Sequence, residues 1–237
     1  MSELRGSMMD FRAPGQETAG GQAHGYLSLP PAGTGPGLIV LQEWWGLVDH
    51  IKSVADRFAE AGYVVLAPDL YKGKSATSPD DAQRLMMALD LPFAAQALGG
   101  AAEYLLAHDA VHPKRVGVLG FCMGGQLALY AATIHPEMFD AVVDFYGVFN
   151  PNVPVNLKAL RAPVLAHFGV HDASIPRDKA DRLLRDMAHA GAECDGYFYE
   201  AGHAFFNDSR DVVYNAQAAQ LAWTRTLEFL HINLEAH

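Results

Sequence analysis

Only two cysteines, Cys122 and Cys194, occur among the 237 residues, and a secreted disulfide framework is not built from so few. Neither their spacing nor their neighbours suggest a metal site, and none is expected. Positive charge is also scarce: Lys+Arg number 17 against Asp+Glu 27, a net charge of −10, which argues against a phosphate backbone or an anionic membrane surface as partner. No stretch approaches the ~18 uninterrupted apolar residues of a membrane span, and the opening M-S-E-L-R-G-S-M-M-D carries no apolar leader core. The composition predicts a cytoplasmic protein with neither nucleic acid nor membrane as partner, a monomer or small homo-oligomer. No internal repeat is visible.

What is present describes a substantial core. Hydrophobic residues make up 50% of the chain and charged residues 19%, and 237 residues suit one large α/β domain better than two ordinary ones. A single domain over 1–237 is therefore expected. The apolar runs Gly37–Leu41, Tyr63–Ala67, Val116–Leu119, Ala141–Gly147, Pro163–Gly169 and Cys194–Tyr199 read as strands. Between them, helical stripes recur: Ile51, Val54, Ala55, Phe58 and Ala59, closed by Gly62, then Ala180, Leu183, Leu184 and Met187, leading by Gly191 to the next strand. A last helix is expected to carry Val212, Ala216, Ala219, Trp223, Leu227 and Leu230 on one face. Asp10 to Pro36 is rich in Gly and Pro, with a hairpin expected around Gly25–Leu29. Such alternation predicts a doubly wound, mostly parallel sheet with helices on both faces. Ser78-Pro79-Asp80-Asp81 announces a helix that Pro92 interrupts, and the stretch at about 72–96 reads as a cap-like insertion, since active-site covers are usually built from connections.

The chain is organised around Gly120-Phe121-Cys122-Met123-Gly124, between the Val116–Leu119 strand and the helix-forming Gln126–Ala132. It fits the nucleophile-elbow pattern G-x-S-x-G with cysteine in place of serine. A thiolate at a helix N-terminus is favoured by the helix dipole. Alone, such a cysteine reads as well as a small buried hydrophobe. Asp172, in G-V-H-D-A-S-I-P, alone serves equally as a cap for the helix after Pro176, and His203, in E-A-G-H-A-F-F-N, alone could be a loop residue. Together they follow strand ends in the order nucleophile, acid, histidine, the order of the α/β-hydrolases. On that reading His203 is general base to Cys122 and later general acid, and Asp172 orients the imidazole. The backbone N–H groups of Met123 and Trp44 are the candidate oxyanion donors. His167 and His171 read as structural or loop residues.

The segments Q-E-W-W-G, A-P-D-L-Y, G-F-C-M-G-G, F-Y-G, H-F-G-V-H-D and G-H-A-F-F-N, spread from Gly37 to Leu230, resemble the dienelactone hydrolase family of α/β-hydrolases. The resemblance implies hydrolysis of a cyclic ester, a dienelactone opening to maleylacetate, without a cofactor. It gives the triad roles to Cys122, Asp172 and His203, makes Glu43 the carboxylate that assists the thiol, and makes Tyr146 a site tyrosine. One departure concerns the substrate: where the family pattern has an arginine four residues beyond the histidine, this chain has Asn207. Weaker selection for a carboxylate is expected, with Trp44, Trp45, Phe205 and Phe206 supplying apolar contacts to a neutral ester or lactone. A non-catalytic small-molecule binding protein on the same fold, or a redox role for Cys122, are the alternatives.

Overall fold

The computed structural model describes residues 4–13 and 21–235. The chain divides into two compact units, 1–118 and 119–237.

In the first unit, β1 (Ser7–Arg12) and β2 (Gln22–Ser28) form the antiparallel pair expected near Gly25, with Ser7 opposite Leu27 and Arg12 opposite Gln22. β2 then pairs antiparallel with β4 (Val64–Pro68), which pairs parallel with β3 (Gly35–Leu41). The strand order is β1-β2-β4-β3-β5, where β5 (Val111–Phe121) begins in this unit. Every residue of β3 and β4 is buried, as expected of central strands covered on both faces, whose sequences read as continuous apolar runs. α1 (Asp49–Glu60) buries the stripe Ile51, Val54, Ala55, Phe58 and Ala59 and ends before Gly62 at φ 110°, where a left-handed turn closes the helix.

Ser78 caps α2 (Pro79–Met87) by accepting the Asp81 N–H at 3.2 Å. The next helix differs from expectation. Pro92 does not merely interrupt; it stands in the first turn of α3 (Leu91–Ala107), where its missing N–H costs nothing, and Asp90 caps that helix through the Phe93 N–H at 3.1 Å. The stretch 72–96 thus holds α2 and the opening turns of α3, whose Phe93 and Ala94 are buried.

In the second unit β5 ends, α4 (Met123–Ile134) follows, and β6 (Ala141–Phe145), β7 (Val164–Gly169) and β8 (Cys194–Tyr199) pair in parallel, in the order β5-β6-β7-β8. α5 (Arg177–His189) packs on β7 and β8 and α6 (Ala216–Leu230) on β7. Strands alternating with helices, with the parallel pairs β3–β4, β6–β7 and β7–β8, are the α/β architecture expected. Val212 is a correction: it lies outside α6 and is 88% exposed, because Asn215 accepts the Ala218 N–H and starts the helix there. The buried face is Ala218, Ala219, Ala222, Thr226 and Leu230; of the other expected residues Trp223 and Leu227 are half-buried and Ala216 is exposed. Around β6 an aromatic core gathers Phe121, Phe145, Phe206 and Trp223, with centroids 4.7 Å apart for Phe121 and Phe145 and 5.0 Å for Phe145 and Phe206.

Candidate active site

Four sharp turns in the second unit hold the candidate residues, each just past a strand. The first is the elbow. Cys122 holds φ 55° and ψ −116° between the end of β5 and the start of α4, and a Cβ at Gly120 would collide with the Gly124 backbone. That collision explains the glycine at 120. A non-glycine residue held there costs about 1–3 kcal/mol, a cost the surroundings must offset. They do so through the second turn: Cys122 donates its N–H to the Phe145 carbonyl at 2.9 Å, and its own carbonyl accepts from Val148 at 3.1 Å and from Gly125 at 3.0 Å. Tyr146, inside that second turn, has φ 43°. Its ring stands edge-on to His203 at 5.2 Å between centroids.

Asp172 follows β7. One carboxylate oxygen accepts the backbone N–H groups of Ser174 at 2.7 Å and Ile175 at 2.9 Å, and the other meets His203 Nδ1 at 2.7 Å. It does not cap α5, whose N-cap is Pro176 with no side-chain bond. His203 follows β8 and precedes Ala204 at φ 60°. It hydrogen-bonds both Asp172 and Cys122, so with Nδ1 committed to the acid, the other ring nitrogen serves the sulfur. Burial on its own would lower the imidazole pKa, but the hydrogen bonds and negative charge of Asp172 and Cys122 outweigh it and push His203 up to about 10. Cys122 is 6% exposed and sits at the α4 N-cap, where the dipole favours negative charge.

The structure brings Cys122, His203, Asp172 and Tyr146 together. It also places Met123 at the first helical position of α4, directly after the sulfur-bearing residue. Phe205 and Phe206, by contrast, are fully buried: Phe205 packs on Tyr146 and Tyr199, and Phe206 on Phe121, Phe145 and Trp223. Asn207 is buried too, and its Oδ1 accepts from Ser209 N at 3.1 Å and Ser209 Oγ at 2.6 Å, tying down its own turn. In the first unit, Glu43 is buried just past β3, and Trp44 and Trp45 are half-buried with ring centroids 5.2 Å apart. Lys72 pairs with Asp90 at 2.8 Å and lies over Phe93. His167 is buried and neutral, pulled down to about 3 by burial and then by Arg225, between Tyr199 Oη at 2.8 Å and Thr226 Oγ1 at 3.0 Å. Exposed His171 pairs with Glu200. Both are structural or loop residues, as expected. The braces Phe145 C=O and Val148 N–H are new; backbone groups leave no side-chain signal in a sequence. Among the described residues no cluster of His, Cys, Asp or Glu could hold a metal ion, and no single helix is long and apolar enough to cross a membrane.

Among known proteins, the model of the dienelactone hydrolase family matches residues 23–234. The chain belongs to the dienelactone hydrolase family. It is similar to Protein usf of Aquifex pyrophilus, 35% identical over 94% of this chain and 97% of that one. A protein of Aquifex aeolicus provisionally named carboxymethylenebutenolidase is 32% identical over 97% of this chain and 100% of its own. Among solved structures, a provisionally named dienelactone hydrolase of Klebsiella pneumoniae superposes with a TM-score of 0.76 at 28% identity, covering 94% of this chain and 98% of that one. This dienelactone hydrolase family member therefore has the α/β-hydrolase fold and is a hydrolase of that type.

Proposed function

We propose that this family member hydrolyses small esters or lactones through a thioester on Cys122, with His203 as base and acid and Asp172 as the group that orients it. The observation that carries the reading is the single imidazole bonded at once to the sulfur and to a fully buried carboxylate. An imidazole held in its protonated form beside a sulfur at a helix N-terminus is the arrangement of an activated thiol.

The Cys122 thiolate attacks the carbonyl carbon, and the oxyanion that forms is held by the backbone N–H groups of Met123 and Trp44. The carbon–oxygen ester bond breaks, and His203 gives its proton to the departing alkoxide. A water then attacks the thioester while His203 takes one of its protons. The carbon–sulfur bond breaks, releasing the acid and restoring the thiolate. Glu43 is carried as the thiol-assisting carboxylate on its motif and burial, and Trp44, Trp45 and Tyr146 as substrate contacts.

The name of the Aquifex aeolicus relative suggests a lactone substrate of the dienelactone type. Asn207 gives no cation for its carboxylate and has its Oδ1 occupied by Ser209, so a neutral ester or lactone is the better substrate. Replacing a buried cationic partner by an amide forgoes on the order of 2–5 kcal/mol of binding. The test is turnover of a small activated ester by wild type and Cys122→Ala, followed by kcat/KM for a dienelactone and an uncharged lactone of similar size. Turnover lost with the sulfur supports the reading. Equal residual rates in both proteins would leave a binding protein on a hydrolase fold.

A further inference from the structure

Asp144 lies within β6 with a side chain entirely buried. Its Oδ1 accepts the Gly147 N–H at 2.7 Å, while Oδ2 has no hydrogen-bond partner. The surroundings are shaped to this carboxyl, since a Cβ on Gly125 of α4 or on Gly147 would collide with Oδ1. Gly147 belongs to the Tyr146–Val148 turn, in which Phe145 C=O and Val148 N–H hold both backbone groups of Cys122. A chain of contacts thus runs from Asp144 through Gly147 to the nucleophile, and a turn with Tyr146 at positive φ needs such an anchor.

We propose that Asp144 is a positioning residue for the nucleophile: its Oδ1 pins the Gly147 turn and thereby fixes the backbone of Cys122 and the direction of its sulfur. The carboxyl is not in the triad, whose acid is Asp172. What the turn takes from the side chain is one acceptor for the Gly147 N–H. An asparagine, which offers the same Oδ1, should therefore suffice. The positions of reacting atoms are what is at stake, and small misplacements of a nucleophile cost rate far more than affinity.

This inference rests on the proposed thiol chemistry, so the experiment reads the sulfur in two ways. Cys122 alkylation by iodoacetamide and steady-state turnover of a small activated ester are measured on wild type, Asp144→Ala and Asp144→Asn, each shown to be folded by circular dichroism. In Asp144→Ala both the alkylation rate and kcat are expected to fall at least about tenfold, with KM within about threefold, and Asp144→Asn to restore both to within about threefold of wild type. Gly147→Ala, whose Cβ displaces the acceptor and leaves the carboxyl in the chain, is expected to behave as Asp144→Ala and stands in if that variant does not fold. Wild-type alkylation and kcat in the folded Asp144→Ala or Gly147→Ala protein would overturn the proposal, as would an Asp144→Asn protein as impaired as Asp144→Ala. Failure of the hydrolase reading is distinct: wild type would then show no turnover, while the alkylation comparison would still report on the turn.

Discussion

His203 Nδ1 meets Asp172 at 2.7 Å, on a carboxylate whose other oxygen is already filled by the backbone N–H groups of Ser174 and Ile175. The acid cannot swing away without breaking two further bonds, so its lone free direction is the imidazole. This fixes one ring nitrogen and leaves the other for the sulfur.

Asp172→Asn keeps the size and one acceptor oxygen but can present an N–H2 to a nitrogen that also carries a proton. The imidazole then favours the wrong tautomer. We expect kcat/KM to fall by on the order of 10²–10⁴, with a thermal midpoint within about 5 °C of wild type. Steady-state kinetics and a thermal melt check it, and near wild-type turnover would move the acid to another residue.

His203 should remain protonated far above the ordinary imidazole range. Its folded value of about 10 lies above the unfolded 6.5, so its contribution to folding is present in full below about 6.5 and fades as the pH rises through about 10. An NMR titration of the ring should show the imidazolium at pH 8. In Cys122→Ala and in Asp172→Asn, which each remove a neighbour that raises it, the midpoint should drop. A neutral ring at pH 7 in wild type would contradict the raised imidazole value.

Asp144 gives a pH dependence of the opposite usual sign for a carboxylate. Its folded value of about 7 is raised above 3.8 by burial, so stability is present in full below about 3.8 and lost as the pH rises through about 7. The full loss is on the order of 4 kcal/mol. Urea denaturation of wild type and Asp144→Asn at pH 5 and pH 8 should therefore show wild type losing ground to the variant at the higher pH. An unchanged gap would mean that the carboxyl does not titrate in this range.

Glu43, as the proposed thiol-assisting carboxylate, is expected to favour a neutral resting thiol whose ionisation is coupled to substrate binding, since one negative charge disfavours another. Iodoacetamide labelling of Cys122 in Glu43→Gln should be faster than in wild type at about pH 6, where a thiolate is hardest to keep. Superimposable pH profiles would remove Glu43 from the mechanism and return it to a structural role.

Much of this was legible in the residues because the physics is local. Continuous apolar runs gave β3, β4 and β7, the spacing of Ile51, Val54 and Phe58 gave α1, and glycines two positions either side of Cys122 marked the elbow. Local signals misled where two readings share a composition. Val212 extends the apolar spacing of α6 by a turn, yet an Asx cap at Asn215 starts the helix later. Phe205 and Phe206 follow the histidine as site aromatics would, but Ala204 at positive φ turns them into the core. Asp144 sits in a strand covered on both faces, where no alternation reveals which way a side chain points. The backbone grip of Phe145 and Val148 on Cys122 joins residues over 20 positions apart through groups every residue possesses.

The proposed chemistry passes through a covalent acyl group on Cys122. Rapid quenching of wild type during turnover of p-nitrophenyl acetate, followed by peptide mass spectrometry, should find one acetyl group on the peptide containing Cys122, labile to hydroxylamine as a thioester is. The adduct should be absent in Cys122→Ala and should persist longer in His203→Ala if any forms there. Steady ester turnover with no acyl group on Cys122, or an acetyl group on another residue at turnover rates that survive Cys122→Ala, would contradict the account.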